Sequence, residues 1–290
     1  MRLEKQSPGK VNLLLNILGR RADGFHELET VLYPIRVFDR LSFTRGGQGI
    51  QLSCNEPALP TDARNLVYQA AGLFLEAAKA RDGVRLKLEK SIPLAAGLGG
   101  GSANAATTLA GLNELFGGPL SPERLQQLAA ALGSDVPFFL QDQPALATGR
   151  GEHIQPLGAF PALRGAAFLL IHPGFGVATA WAYQRLADFP AALNGQPGRA
   201  QRLISLLQGA DLKAAGAEFY NALEAPVLEK YPLLALFQEF LRENGAAATL
   251  MCGSGSTTFA LVAGLDAAAA LAEKLTARFG AGNWIRTVSA

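Results

Sequence analysis

Cysteine and histidine are scarce in this 290-residue chain, and their scarcity removes two classes of protein. Cys54 and Cys252 lie far apart, and His26, His153 and His172 form no short-spaced ligand cluster with them. Neither a disulfide framework nor a structural zinc site is therefore expected, and a reducing, cytoplasmic setting fits best. Net charge is also nearly absent: 26 basic against 24 acidic residues leave +2, which argues against a nucleic-acid binder driven by bulk charge. No apolar run approaches the roughly 18 residues of a membrane span; the densest, Ala166 to Ile171, is strand-sized. Met1 to Lys10 carries Arg2, Glu4 and Lys5 and no apolar segment, so a secretory signal is not expected there. Neither nucleic acid nor membrane is expected as a partner, and a monomer or a homodimer is equally admissible.

The length is about twice a typical domain of roughly 150 residues, and hydrophobic residues at 49% suffice for a core without staples. Val11 to Leu18 reads as a strand with Lys10, Asn12 and Leu14 on one face and Val11, Leu13 and Leu15 on the other. Gly19 to His26 reads as a turn-rich loop, and Leu41 to Phe43, Ile50 to Ser53 and Val84 to Leu88 as short strands. Leu66, Ala70, Leu73 and Ala77 recur at helical spacing and predict a helix over Asn65 to Ala80. Ser121 followed by Pro122 starts another, which Gly133 stops.

Between Pro156 and Gly165 the composition turns to proline, glycine and small residues, so the domain boundary is placed there, giving 1–158 and 159–290. The second part opens with a strand over Ala166 to His172 and continues with helices near Thr179 to Leu186, Ala200 to Gly209 and Pro232 to Asn244. Strands Ala247 to Cys252 and Thr257 to Val262 follow, joined by Gly253-Ser254-Gly255-Ser256, and then a helix capped at Asp266. The mixture lacks a strict βαβ rhythm, which favours an α+β fold.

The segment after Lys90 reads Pro93, Leu94, Ala95, Ala96, Gly97, Leu98, Gly99, Gly100, Gly101, Ser102, Ala103, and a helix with Ala106, Leu109 and Leu112 on one face follows. Glycines between a strand and a helix let backbone approach an anion, and the helix start adds unpaired N–H groups and a positive dipole end. Three known loops are excluded: Gly101 is not followed by Lys-Ser/Thr, position 102 is serine where a dinucleotide fingerprint needs glycine or alanine, and the chain has neither His-Arg-Asp nor Asp-Phe-Gly. A phosphate loop of another lineage remains, against the plainer reading of a flexible turn. Gly253 to Ser256, taken alone, reads as a hairpin turn.

Three blocks in order, Pro8 to Leu13 (PGKVNL), Pro93 to Asn104 (PLAAGLGGGSAN) and Met251 to Phe259 (MCGSGSTTF), resemble the motifs of the galactokinase, homoserine kinase, mevalonate kinase and phosphomevalonate kinase superfamily. Within it, Arg21 to His26 (RADGFH), Gly133 to Phe138 (GSDVPF), Gly149 to Glu152 (GRGE) and Asn221 to Glu224 (NALE) look like the kinases of non-mevalonate isoprenoid synthesis, whose substrate is a cytidyl diphosphate-linked methylerythritol. The resemblance covers about residues 7 to 260. Phe25 stands where a tyrosine is also common, and Ala222 replaces the usual aspartate, so residue 222 is given no polar role.

The resemblance implies an N-terminal domain like the second domain of ribosomal protein S5, a C-terminal ferredoxin-like domain, ligands in the cleft between them, and ATP with Mg²⁺ as cofactors. It implies transfer of a phosphoryl group to the 2-hydroxyl of the substrate. It assigns Asp135 as proton acceptor and Lys10 as the second catalytic residue, residues 93 to 103 to the ATP phosphates, and Asn65 and Lys90 to the adenosine side. Asn12, Phe25, His26 and Tyr183 fall to the substrate, and Ser102 to phosphate or Mg²⁺. Plainer roles stand beside these: helix caps for Ser102 and Asp135, a solvated surface lysine for Lys10, core packing for Phe25 and Tyr183, and a surface loop for His26. A homoserine kinase-like enzyme and a non-catalytic nucleotide-binding module are the competing readings.

Overall fold

Alternation and small-residue content decide how each element packs in the computed structural model, which describes residues 2–290. The chain forms two compact units, interleaved in sequence: residues 1–9, 37–92 and 99–142 make one, and residues 10–36, 93–98 and 143–290 the other. Contacts thus divide the chain at several points, whereas composition suggested one cut near residue 158. The interleaving arises because two strands are long: β1 (Arg2–Arg20) and β2 (His26–Arg45) each run from one unit into the other.

In the first unit β3 (Ile50–Cys54), α1 (Leu66–Ala77), β4 (Val84–Glu89), α2 (Gly100–Leu115) and α3 (Pro122–Leu132) follow one another. β4 lies between β2, antiparallel with Leu41 opposite Leu88, and β3, parallel with Leu52 opposite Leu86. Val84, Leu86 and Leu88 alternate inward, α1 packs on β3, and the two helices pack on each other. The buried face of α1 is Val67, Ala70, Ala71 and Phe74, about one residue round from the stripe expected from Leu66 and Leu73. Phe74, the aromatic side chain that the helix buries, turns it to that side and packs against Phe116 at 5.6 Å. α2 is buried nearly all round, beyond the single face expected, because alanines, threonines and Gly111 let it sit deep. A Cβ on Gly111 would lie 2.7 Å from the Phe43 ring, so only glycine allows this approach. Ser121 caps α3 by accepting from Arg124 N, Pro122 follows it, and Gly133 ends the helix, as the sequence indicates.

The second unit holds β5 (Ala145–Gly149), β6 (His153–Pro156), β7 (Ala167–His172), α4 (Thr179–Arg185), α5 (Pro190–Leu193), α6 (Arg199–Gln208) and α7 (Leu212–Ala217). It ends with β8 (Tyr220–Asn221), α8 (Glu224–Lys230), α9 (Pro232–Glu243), β9 (Ala248–Met251), β10 (Thr258–Val262), α10 (Leu265–Phe279) and β11 (Trp284–Ser289). Here β2 pairs with β5, β5 with β6, and β1 with β8 in parallel, placing Leu15 opposite Asn221. A separate antiparallel sheet has the order β11-β7-β10-β9. Its core gathers Leu169, Ile171, Phe237, Leu241, Ala260 and Leu275. Gly264, not Asp266, stands at the N-cap of α10 and no side chain caps it; Asp266 lies inside the first turn, where its charge favours the positive helix end. β5, β6 and β11 were not expected from the sequence. Among the described residues no helix is long and apolar enough to cross a membrane.

Candidate active site

Lys10 is only 3% exposed, so the plainer reading of a solvated lysine fails. Strand alternation sets Lys10 and Asn12 side by side, and the ammonium donates to Asn12 Oδ1 at 2.7 Å. Asn12 Nδ2 donates in turn to Thr30 Oγ1 at 2.9 Å, and the Thr30 hydroxyl donates to Leu14 O, which ties β1 to β2. A buried ammonium is costly unless held this way, so the chain of hydrogen bonds fixes a positive charge in place.

The segment 93–98, which holds Gly97, packs against that lysine. Lys10 N donates to Leu98 O at 2.9 Å, Thr257 N to Ala96 O at 3.2 Å and Val177 N to Ala95 O at 3.4 Å. Gly97 has φ +76°, and a Cβ there would run into the carbonyl oxygen of Cys252. Ala95 holds φ +49°, a left-handed conformation unfavourable for alanine, with its methyl against Gly176. The Gly253 to Ser256 turn proves to be more than a hairpin connection. A Cβ on Gly253 would stand 3.3 Å from Lys10 Nζ and 3.4 Å from Asn12 Oδ1, so this backbone closes over the pair. Cys252 is fully buried beneath it, and burial pushes its thiol up to about 12, which keeps it protonated and unreactive at neutral pH.

In the first unit Gly99 starts α2 at φ +71° with no side-chain cap, leaving the amides of the first turn to an outside acceptor. Ser102 lies in that turn, partly exposed. Below it, Asp39 gathers four donors: Ser91 N at 2.7 Å, Ile92 N at 2.9 Å, Asn104 Nδ2 at 3.0 Å and the Lys90 ammonium. Asn104 Nδ2 also reaches Ser7 Oγ at 2.9 Å, and a Cβ on Gly100 would lie 3.1 Å from Lys90 Nζ. The Lys90 charge is thus bound to Asp39 under the start of α2. Asn65 caps α1, accepting from Val67 N at 2.9 Å and donating to Pro60 O at 2.7 Å. Asp135 is partly exposed on the turn before the short 3-10 helix Pro137–Leu140, whose N-cap position is held by Val136 with no side-chain cap.

Phe25 is 50% exposed, so core packing is not its role. Its loop is held by Arg21 N donating to Phe25 O at 2.8 Å and Phe25 N donating to Asp23 Oδ1 at 3.1 Å. The Arg21 guanidinium keeps the Asp23 carboxyl below its usual range. Arg150 lies over the Phe25 ring at 4.6 Å, and its own backbone N–H donates to Glu152 at 2.6 Å. The His26 and Tyr183 rings sit 5.1 Å apart, and burial together with Arg20 lowers the His26 pKa. Lys10, Asn12, residues 93 to 98, Phe25, His26 and Tyr183 belong to one unit; Asn65, Lys90, residues 99 to 103 and Asp135 belong to the other.

The donor set suits nucleotide phosphates and a hydrated cation. Glycine backbone gives the close approach, α2 offers first-turn amides, and Ser102 supplies a hydroxyl. Among the described residues no group of three or more His, Cys, Asp or Glu could hold a metal ion. Mg²⁺ seldom uses such a cage, taking most of its ligands from phosphate and water, so the Ser102 hydroxyl in the first turn of α2 fits it. Thr30, Asp39, Asn104 and Arg150 carry no signal of these contacts in the sequence: Thr30 and Asp39 lie on β2 outside any motif, Asn104 ends the Pro93 to Asn104 motif, and Arg150 lies in a turn.

Two family models match the chain. The family model described as GHMP kinases N terminal domain matches residues 65–149, and that described as GHMP kinases C terminal matches 189–281. The chain is a member of the GHMP kinases. Within them it belongs to the 4-diphosphocytidyl-2-C-methyl-D-erythritol kinases: it is 45% identical to the one from Synechococcus sp. (strain JA-3-3Ab), over 93% of this chain and 88% of that protein. It is 42% identical to the one from Pelotomaculum thermopropionicum, over 91% of each. A crystal structure of 4-(cytidine 5'-diphospho)-2C-methyl-D-erythritol kinase, 35% identical, superposes with a TM-score of 0.80 over 99% of this chain and 100% of the other. Homoserine kinase from Cytophaga hutchinsonii reaches the same TM-score at 19% identity, over 100% of this chain and 95% of that one, which shows a shared fold.

Proposed function

We propose that this kinase transfers the γ-phosphoryl group of ATP to the 2-hydroxyl of 4-diphosphocytidyl-2-C-methyl-D-erythritol, with Lys10 and Asp135 as its catalytic residues. The observation that carries this is the buried Lys10 ammonium, fixed by Asn12 and enclosed by two glycine turns. Phosphoryl transfer passes through a loose transition state, so the protein's task is positioning and charge stabilisation. Asp135 accepts the hydroxyl proton as the oxygen forms its bond to phosphorus and ADP departs. Lys10 neutralises charge building on the transferred group. Residues 93 to 103 hold the phosphates, and Ser102 offers its hydroxyl to phosphate or Mg²⁺, which when bound offsets phosphate charge. Asn65 and Lys90 border the adenosine, Lys90 while paired with Asp39. Phe25 stacks on the cytosine ring, with Arg150 on the ring as a brace; Asn12, His26 and Tyr183 complete the substrate contacts. A cytoplasmic location belongs to the same reading.

The fold reading is likewise ours. Strand order β11-β7-β10-β9 with β7-helices-β9-β10-α10-β11 connectivity supports a ferredoxin-like C-terminal domain, and an N-terminal domain like the second domain of ribosomal protein S5 precedes it. A boundary near residue 158 is supported by the interval between the two family matches.

The substrate half is tested by comparing the cytidyl substrate with cytidine-free methylerythritol and with homoserine, using wild type and Phe25→Ala. Stacking on an aromatic ring is worth about 1–3 kcal/mol. Phe25→Ala should therefore raise KM for the cytidyl substrate roughly five- to 150-fold and leave KM for ATP alone. Equal efficiency on the cytidine-free alcohol would remove the cytidine pocket from the account.

A further inference from the structure

Asn221 and Glu224, which the mechanism does not use, are both turned toward the backbone of the turn that closes over Lys10. Asn221 is 2% exposed, and its Nδ2 donates to two carbonyls at once, Met251 O at 2.8 Å and Gly253 O at 2.7 Å. Its Oδ1 accepts from Leu223 N at 2.9 Å, so every polar group of the amide is committed. The residue is itself anchored by β8, whose Asn221 pairs with Leu15 on the strand that carries Lys10. Glu224 approaches the same turn one residue earlier, accepting from Met251 N at 2.8 Å. The same oxygen accepts from Gln238 Nε2 at 2.6 Å, Gln238 Oε1 accepts from Arg242 Nη2 at 2.8 Å, and Arg242 Nε reaches Thr249 Oγ1 at 3.1 Å. Two side chains from β8 and α8 therefore hold the backbone on either side of Cys252, through the N–H and C=O of Met251 and the C=O of Gly253, with a relay from α9 behind one of them.

We infer that Asn221 and Glu224 are positioning residues for the phosphoryl-transfer step, holding the Met251 to Gly253 backbone so that Gly253 presses on Lys10 and Asn12 while the Cys252 carbonyl seats Gly97. An alanine at 221 would leave the Met251 and Gly253 carbonyls without that donor, and the turn would be free to lift from the ammonium. Ala222, between the clamping residues, is buried and apolar, which agrees with contact by its neighbours alone. Burial raises the Glu224 pKa above the usual carboxylate value, and an acceptor of either charge state can hold Met251 N.

This inference rests on the kinase reading above, and the two fail separately: the wild-type enzyme's turnover tests the reading, and variants of a working enzyme test the clamp. Misplacing a reacting group by about 1 Å can cost roughly 10²-fold. Asn221→Ala and Glu224→Ala should each lower kcat about ten- to a hundredfold, with a smaller rise in KM for the cytidyl substrate, because Asn12 lies under the turn while Phe25 and His26 are held elsewhere. Glu224→Gln, which keeps an acceptor oxygen, should recover most of the kcat lost in Glu224→Ala. Circular dichroism and thermal melts identify folded variants. Wild-type kcat in folded Asn221→Ala, equal kcat for Glu224→Gln and Glu224→Ala, or loss of fold in all three variants would overturn the inference, the last by assigning both residues to stability alone.

Discussion

Asp135→Asn is expected to lower turnover by about 10²–10⁴, the usual worth of a general base, with little change in either KM. The substitution keeps the shape of the side chain and removes its capacity to take a proton, so it isolates the chemistry. Its surroundings predict that the fold survives. Asp135 is partly exposed, Val136 N closes the turn onto Gly133 O at 3.2 Å, and Pro137, Phe138 and Phe139 are buried just beyond it. Steady-state kinetics beside a urea denaturation curve checks both halves. Near-normal turnover would strip Asp135 of the proton-accepting role, and a large stability loss would make it a structural residue.

Lys10→Ala should cost turnover about 10²–10³, as for removal of one electrostatic stabiliser, and should also cost stability. The second effect follows from burial. Asn12 Oδ1 would lose the ammonium that donates to it at 2.7 Å, and a buried acceptor left unsatisfied costs about 1–3 kcal/mol. Lys10→Arg is not a rescue, because a planar guanidinium is too wide for the space beside Gly253, where even a Cβ would stand 3.3 Å from Nζ. The expected pattern is therefore low kcat in both variants with a shifted urea midpoint in Lys10→Ala. Turnover near that of wild type in Lys10→Ala would contradict the charge-stabilising role whatever the midpoint does.

Features whose cause is local are legible in the sequence. The face shared by Lys10 and Asn12 follows from strand alternation, Ser121-Pro122 and Gly133 bound α3 through their own backbone preferences, and Gly97 and Gly99 take the positive φ values that mark a turn of unusual shape. Where tertiary packing decides, the structure departs from the local pattern. α1 turned about one residue to bury Phe74, α2 sank on all sides because Gly111 meets Phe43, and Asp266 sits inside a helix rather than at its cap. Pairing at long range left no trace in the pattern. Asp39 collects Ser91, Ile92 and Asn104 from far along the chain, Asn221 reaches Met251 and Gly253, and β11 is a short strand defined by its neighbour β7. The unit division is of the same kind, since two long strands serve both units and no composition shift marks the crossing.

The most direct measurement is ADP release by the purified protein given ATP, Mg²⁺ and 4-diphosphocytidyl-2-C-methyl-D-erythritol, with controls lacking each component in turn. ADP should form in step with one phosphorylated cytidyl product and only in the complete mixture. Absence of ADP from that mixture, or equal release when the cytidyl substrate is left out, would contradict the account.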